Sequence, residues 1–122
     1  MTQKLIIDTD PGIDDAMAIH LAFADSRIDV IGMTTIFGNV TTAQATRNAL
    51  YLAEMAHYDL PVARGATIPR HRARAPPADF VHGGEGFGDL AAMQPANKPD
   101  NREAARFLFE SCAAHPGEVI IC

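Results

Sequence analysis

Apolar residues in this chain fall into short runs of alternating period, and the order of those runs predicts alternating strands and helices. Leu5-Ile6-Ile7 is a continuous apolar run within Lys4 to Asp8 and reads as a buried strand. From Ile13 to Ala24 the apolar residues shift to helical spacing, with Ile13, Met17, Leu21 and Ala24 in one row and Ile19 and Phe23 in another. So little polar face remains that this helix is expected to be well buried. Ile28 to Phe37 is nearly continuous in apolar character and reads as a second strand, of the kind covered on both faces in a parallel sheet.

Gly38-Asn39 ends the second strand. Thr41 or Thr42 then caps a second helix that runs to about His57, with Leu50, Ala53 and His57 in one row. His57, near the helix end, reads as a dipole partner or part of the helix surface. Leu60 to Ala63 is a short third strand. Residues 65 to 99 have no clear period and are rich in proline and glycine, which predicts a lid or binding loop. Asp100 with Glu103 has the spacing of a capping box for a helix over about Asn101 to Ala114, ending before Pro116-Gly117. Glu118 to Cys122 is a fourth strand. This alternation predicts an open, doubly wound, mainly parallel α/β sheet.

Composition narrows the class. The chain has 122 residues, 48% hydrophobic and 20% charged, which suits one globular domain. A net charge of −5 argues against nucleic acid as a partner, since the one basic cluster is Arg70-His71-Arg72-Ala73-Arg74. No apolar run approaches the ~20 residues of a membrane span. The segment before Asp8 is too short for a signal-peptide core. The two cysteines, Cys112 and Cys122, form neither a metal spacing nor a disulfide framework, so a reduced cytoplasmic setting is expected.

The chemistry concentrates in Asp8-Thr9-Asp10-Pro11-Gly12-Ile13-Asp14-Asp15, where four carboxylates sit at a strand-to-helix junction. Open α/β sheets place ligands at such junctions. Crowded carboxylates become tolerable beside a hard divalent cation, and oxygen-rich clusters suit Ca²⁺ or Mg²⁺. A single Asp here would be an ordinary cap or turn residue, and Asp14 and Asp15 would suit any helix N-terminus. Four together point to function. Parallel strands end on the same side, so Asn39 is expected to share a crevice with the aspartates. His82, within Val81-His82-Gly83-Gly84-Glu85-Gly86-Phe87-Gly88, lies in a glycine-rich stretch of the long loop, where binding residues are favoured.

Asp8 to Ala16 resembles the signature of the inosine-uridine-preferring nucleoside hydrolases. Thr34-Thr35-Ile36-Phe37-Gly38-Asn39-Val40 with Ala45-Thr46-Arg47-Asn48-Ala49, and Val81-His82-Gly83 with Gly86 and Gly88, are similar to further blocks of that family in the same order. The resemblance implies the open α/β nucleoside-hydrolase fold. It implies cleavage of the N-glycosidic bond of a ribonucleoside by a calcium-bound water, giving ribose and free nucleobase in purine or pyrimidine salvage. Asp10 and Asp15 match metal-binding positions, and Asp10 also matches the general base. Asp14 and Asn39 match ribose contacts. His82 matches a position beside the nucleobase, where it would bind or protonate the leaving group. Asp8 is implied to be structural support.

Members of that family are considerably longer. Residues 1–122 are therefore expected to be the N-terminal part of a single nucleoside-hydrolase domain, homodimeric or homotetrameric as the full-length protein. Asp10 and Asp15 supply fewer oxygens than the usual six to eight around Ca²⁺, so the 122-residue chain alone is expected to be inactive. A strand over Val119 to Ile121 would also show an exposed apolar edge.

Two other readings compete. A haloacid-dehalogenase-like, Mg²⁺-dependent phosphatase also has an Asp-x-Asp pair after its first strand, but Pro11-Gly12-Ile13-Asp14-Asp15 and the Asn39 block do not fit it. A non-enzymatic binding or assembly module would use the strand edge instead.

Overall fold

The structure, a computed structural model, describes residues 2–122. Four parallel strands form one sheet in the order β3-β2-β1-β4, with β1 at Gln3–Thr9, β2 at Ile28–Thr35, β3 at Val62–Arg64 and β4 at Val119–Ile121. The helices are α1 (Ile13–Ala24), α2 (Thr42–Met55), the one-turn α3 (Asp79–His82) and α4 (Ala104–Ala114).

Helices cover both faces of the sheet, as the doubly wound expectation requires. On one face, Ile19 of α1 and Ala49, Leu50, Leu52 and Ala53 of α2 pack on Met33 and Val62. On the other, Phe107 of α4 packs on Ile6 and Ala63. Gly32 makes this second contact possible, because a side chain at that position would collide with the Phe107 ring. Side chains alternate across a strand, so the pleat of β1 sends Ile6 toward α4.

The elements form for local reasons. Thr41 caps α2 by accepting from the Gln44 amide at 3.3 Å, and the Gln44 side chain accepts from the Thr41 amide at 3.0 Å. At the other end, the Tyr58 amide donates to the Ala53 carbonyl and the His57 amide to the Glu54 carbonyl. This is a Schellman closure with His57 in the left-handed region at φ 52°. His57 is thus the residue that turns the chain out of α2, and it lies beyond the helix rather than on its surface row.

Several expectations need correction. Helix α1 has the expected bounds, but it is half open: Met17 and Leu21 are each 73% exposed, and only Ile19 and Ala22 are buried. Its outer row faces solvent because no second layer covers it among the described residues. Strand β2 ends at Thr35, before Phe37, and β3 begins at Val62, just after Pro61, whose carbonyl accepts from the Met33 amide. Helix α4 begins at Ala104 with Glu103 at its N-cap and no side-chain cap. The Asp100 carboxylate is drawn instead to the amide and guanidinium of Arg102. Among the described residues strand β4 pairs only with β1, and Ile120 and Ile121 are about half exposed along that edge, as expected.

Candidate functional site

The β1–α1 turn lies at the C-terminal edge of the sheet, and Pro11 and Gly12 within it are buried. Asp15 sits in the first turn of α1. Its Oδ2 accepts from the Gly12 amide at 3.0 Å, so it caps the helix from inside, and its Oδ1 accepts from the Thr9 hydroxyl at 3.2 Å. Asn39, just past β2, closes the group. Its Nδ2 donates to Asp15 Oδ2 at 3.0 Å and reaches the Asp10 carbonyl at 3.4 Å, and its backbone amide donates to Asp10 Oδ2. Gly38 allows this approach, since a Cβ there would strike the Asp10 carboxylate.

The expected crevice therefore exists, but it gathers only part of the aspartate cluster. Asp10 and Asp15 meet through Asn39. Asp14 points outward, its side chain 83% exposed. Asp8 lies on the α4 side of the sheet, where its carboxylate accepts from the buried Thr34 hydroxyl at 2.6 Å. There it lines a separate cavity of about 690 Å³ with Arg64, Asp100 and Leu108. The four carboxylates are not one cluster because Asp8 is still within β1, whereas Asp10 comes after the last strand residue, Thr9, where the chain has left the pleat for the turn.

The long loop folds back over this turn. Asn39 contributes here too: its carbonyl accepts from the Ala78 amide, at the start of α3. Helix α3 carries His82 to the start of α1, where the Ile13 amide donates to His82 Nδ1 at 3.3 Å. The ring lies over Gly12, where a Cβ would stand 2.5 Å from Nδ1. The Asp14 carboxylate is 3.8 Å from the same nitrogen, too far for a hydrogen bond. With Nδ1 accepting, the neutral imidazole carries its proton on Nε2. The ring is largely buried, its side chain 12% exposed.

Three residues of α2 hold the loop from behind. Gln44 Nε2 donates to the Gly84 carbonyl at 2.9 Å, Arg47 pairs with the Glu85 carboxylate at 2.7 Å, and buried Asn48 donates to the Glu85 and Pro11 carbonyls. The bond from Arg47, seconded by Gln44, holds the Glu85 carboxyl below the usual carboxylate range. Sequence reasoning passed over these tethers and Thr9. A signal existed for Asn48: it stands in the same helical stripe as Ala45, Ala49 and Leu52, and a polar residue in an apolar stripe must find partners.

As a metal site the donor set is of the right kind and too small. Asp10 and Asp15 offer hard oxygens, yet two carboxylates give at most about four, against six to eight for Ca²⁺. Among the described residues no group of three or more His, Cys, Asp or Glu side chains is placed to hold a metal ion. No helix among them is long and apolar enough to cross a membrane.

Residues 5–122 match the family described as inosine-uridine preferring nucleoside hydrolase. The chain is 51% identical over 120 residues to uridine nucleosidase 1 of Arabidopsis thaliana, covering 98% of this chain and 36% of that protein. It is 38% identical over 122 residues to the inosine-uridine preferring nucleoside hydrolase of Crithidia fasciculata, covering 98% and 38%. A solved plant nucleoside hydrolase, PpNRh1, superposes with a TM-score of 0.93 at 45% identity, over 99% of this chain and 39% of that one. The chain thus spans just over a third of the length of the curated relatives it matches.

Proposed function

The chain belongs to the inosine-uridine preferring nucleoside hydrolase family, and from that premise we propose that its site serves hydrolysis of the N-glycosidic bond of ribonucleosides to ribose and free base. The observation that carries the reading is Asn39, which draws Asp10 and Asp15 into one crevice. Uridine is the first substrate to test, because relatives at 46–51% identity carry the name uridine nucleosidase.

In this reading Asp10 is the general base. Hydrogen bonds from the described residues engage only its Oδ2, so Oδ1 is free to take a proton from water. Exposed Asp14 faces solvent and is available to ribose hydroxyls. Asn39 spends its Nδ2 on Asp15 and Asp10, which leaves its Oδ1 to accept from a hydroxyl. Held in this way, the sugar stands where water can attack. The positive charge that develops on it, as in other glycoside cleavage, is opposed by the carboxylates. His82 offers Nε2–H to the leaving base, its tautomer set by the Ile13 amide.

Asp10 and Asp15 would hold Ca²⁺ as two members of a larger shell. When bound, the ion supplies the positive charge that makes a nearby water more acidic. By the same count of oxygens, the 122 residues alone bind Ca²⁺ weakly and release little ribose.

The test is a chimera in which this chain replaces the matched segment of the Arabidopsis relative, assayed for ribose release from uridine and inosine with Ca²⁺ and with EDTA. Calcium-dependent release is expected, and Asp10→Ala is expected to slow it by at least about a hundredfold. A folded chimera with no release would overturn the reading. Ready calcium-dependent release from the 122-residue chain itself would overturn the claim that it is inactive alone.

A further inference from the structure

Asn48 is 1% exposed and lies in the middle of α2, yet its side-chain amide donates to no carbonyl of its own helix. Its Nδ2 donates to the Pro11 carbonyl at 3.2 Å and to the Glu85 carbonyl at 2.9 Å, partners 37 residues away in the two chain directions. Its Oδ1 accepts from Arg47 Nε at 3.3 Å and Nη2 at 3.1 Å. Both donors and the acceptor are therefore in use. A flipped amide would set oxygen against two carbonyls and NH₂ against a guanidinium, so the orientation is fixed.

The backbone is shaped to accept this tie. Gly86 has φ +91°, and a Cβ there would stand 2.8 Å from Asn48 Nδ2 and 3.0 Å from the Pro11 carbonyl. Pro11 belongs to the turn between Asp10 and Asp15, and Glu85 belongs to the loop that follows His82.

We propose that Asn48 is a positioning residue: one buried carboxamide fixes the aspartate turn and the glycine-rich loop to the same helix, and so sets where His82 stands relative to Asp10 and Asp15. Treating the two segments as parts of one catalytic site rests on the hydrolase reading, whereas the tie itself does not.

The test compares Asn48→Asp with Ala53→Gly in the 122-residue chain. The first keeps the volume and replaces the shared donor with an acceptor facing two carbonyls. The second weakens the same helix at a buried position whose side chain makes no hydrogen bond to either loop. Two signals are read: the ring nitrogens of His82 in long-range ¹H–¹⁵N spectra, at a pH well above the ordinary histidine range, and amide hydrogen exchange. The wild type should show the Nε2–H tautomer alone. Asn48→Asp should give a mixture of tautomers and speed exchange over Gly83–Gly88 by at least about tenfold, the loss expected for a hydrogen-bonded tie, with β1 and β2 unchanged. Wild-type values in N48D, or the same two changes in A53G, would overturn the proposal. If N48D does not fold, the side-chain NH₂ of Asn48 in the wild type decides, with slow exchange expected and rapid exchange contrary. None of these signals needs turnover, so absent ribose release would count against the hydrolase reading alone.

Discussion

Asp8 and Asp10 are two residues apart, on either side of the point where β1 ends, and the fold gives them different surroundings. Among the described residues Asp8 has Thr34 as its one side-chain hydrogen-bond partner, and it faces the α4 side of the sheet. Asp10 is held against Asn39 on the α1 side, within reach of Asp15 and beneath the His82 loop. Identical side chains in one motif therefore differ in surroundings because β1 ends at Thr9, between them, and Asp10 belongs to the turn that leads through Pro11-Gly12. The α1/α2 face also carries the larger of the two buried clusters, while the α4 face depends chiefly on Phe107.

The largest effects should come from the carboxylates themselves. In the chimera, Asp10→Ala should lower kcat by about 10²–10⁴-fold, the contribution of a positioned base, with an unchanged circular dichroism spectrum. Asp8→Asn keeps an acceptor for Thr34 and should lose far less than about 10²-fold. Equal losses in steady-state kinetics would erase the distinction between the two aspartates. Next comes the α4 face. Phe107→Ala should cost about 3–5 kcal/mol in denaturant unfolding, because it empties that face of its main anchor. Met17→Ala, on the open row of α1, should stay within about 0.5 kcal/mol. A Phe107 variant as stable as wild type would mean the two faces do not divide the core in this way.

A smaller gain is expected from His57→Gly, which relieves a left-handed residue at the end of α2 and should stabilise the chain by about 1 kcal/mol in the same measurement. The smallest effect is electrostatic. The Arg102 guanidinium and amide hold the Asp100 carboxyl at about 2, below its ordinary 3.8. A carboxyl lowered on folding stabilises the native state above its unfolded pKa and loses that contribution as the pH falls. Stability of the α4 side should therefore decline between about pH 4 and pH 2, a window set by those two values. Arg102→Gln should remove the guanidinium's share of that acid dependence, the backbone amide's share remaining, in thermal melts taken across this range.

The strand-to-helix junction was legible in the sequence because its signals are local. An apolar run, a Pro-Gly turn and a helical row follow one another from Leu5 to Ala24, and α1 has the bounds they predict. The meeting of Asn39 with Asp10 and Asp15 was legible too, since parallel strands must end on one side. The separation of Asp8 from Asp10 was not legible, because a period of two would put both on one face and only the end of β1 at Thr9 parts them. What the sequence withheld depends on distant partners. Met17 and Leu21 look like core residues, yet among the described residues no layer covers them. Asp100 and Glu103 have capping-box spacing, yet Arg102 between them captures the Asp100 carboxylate. The course of residues 65–99, and the return of His82 to Ile13, follow from tethers on α2 that no local pattern announces.

The pairing of β1 with its two neighbours also implies an order of assembly. Strand β2 reaches β1 through a short connection, with Gln3 opposite Ile28, whereas β4 must return from Val119 to Lys4. Closing the longer loop costs on the order of 1 kcal/mol more in chain entropy. Asp10, Asp15 and Asn39 all lie within the first forty residues and can be brought together by the shorter closure alone. During synthesis the acidic half of the crevice would then be in place before the segment bearing His82 has emerged to cover it.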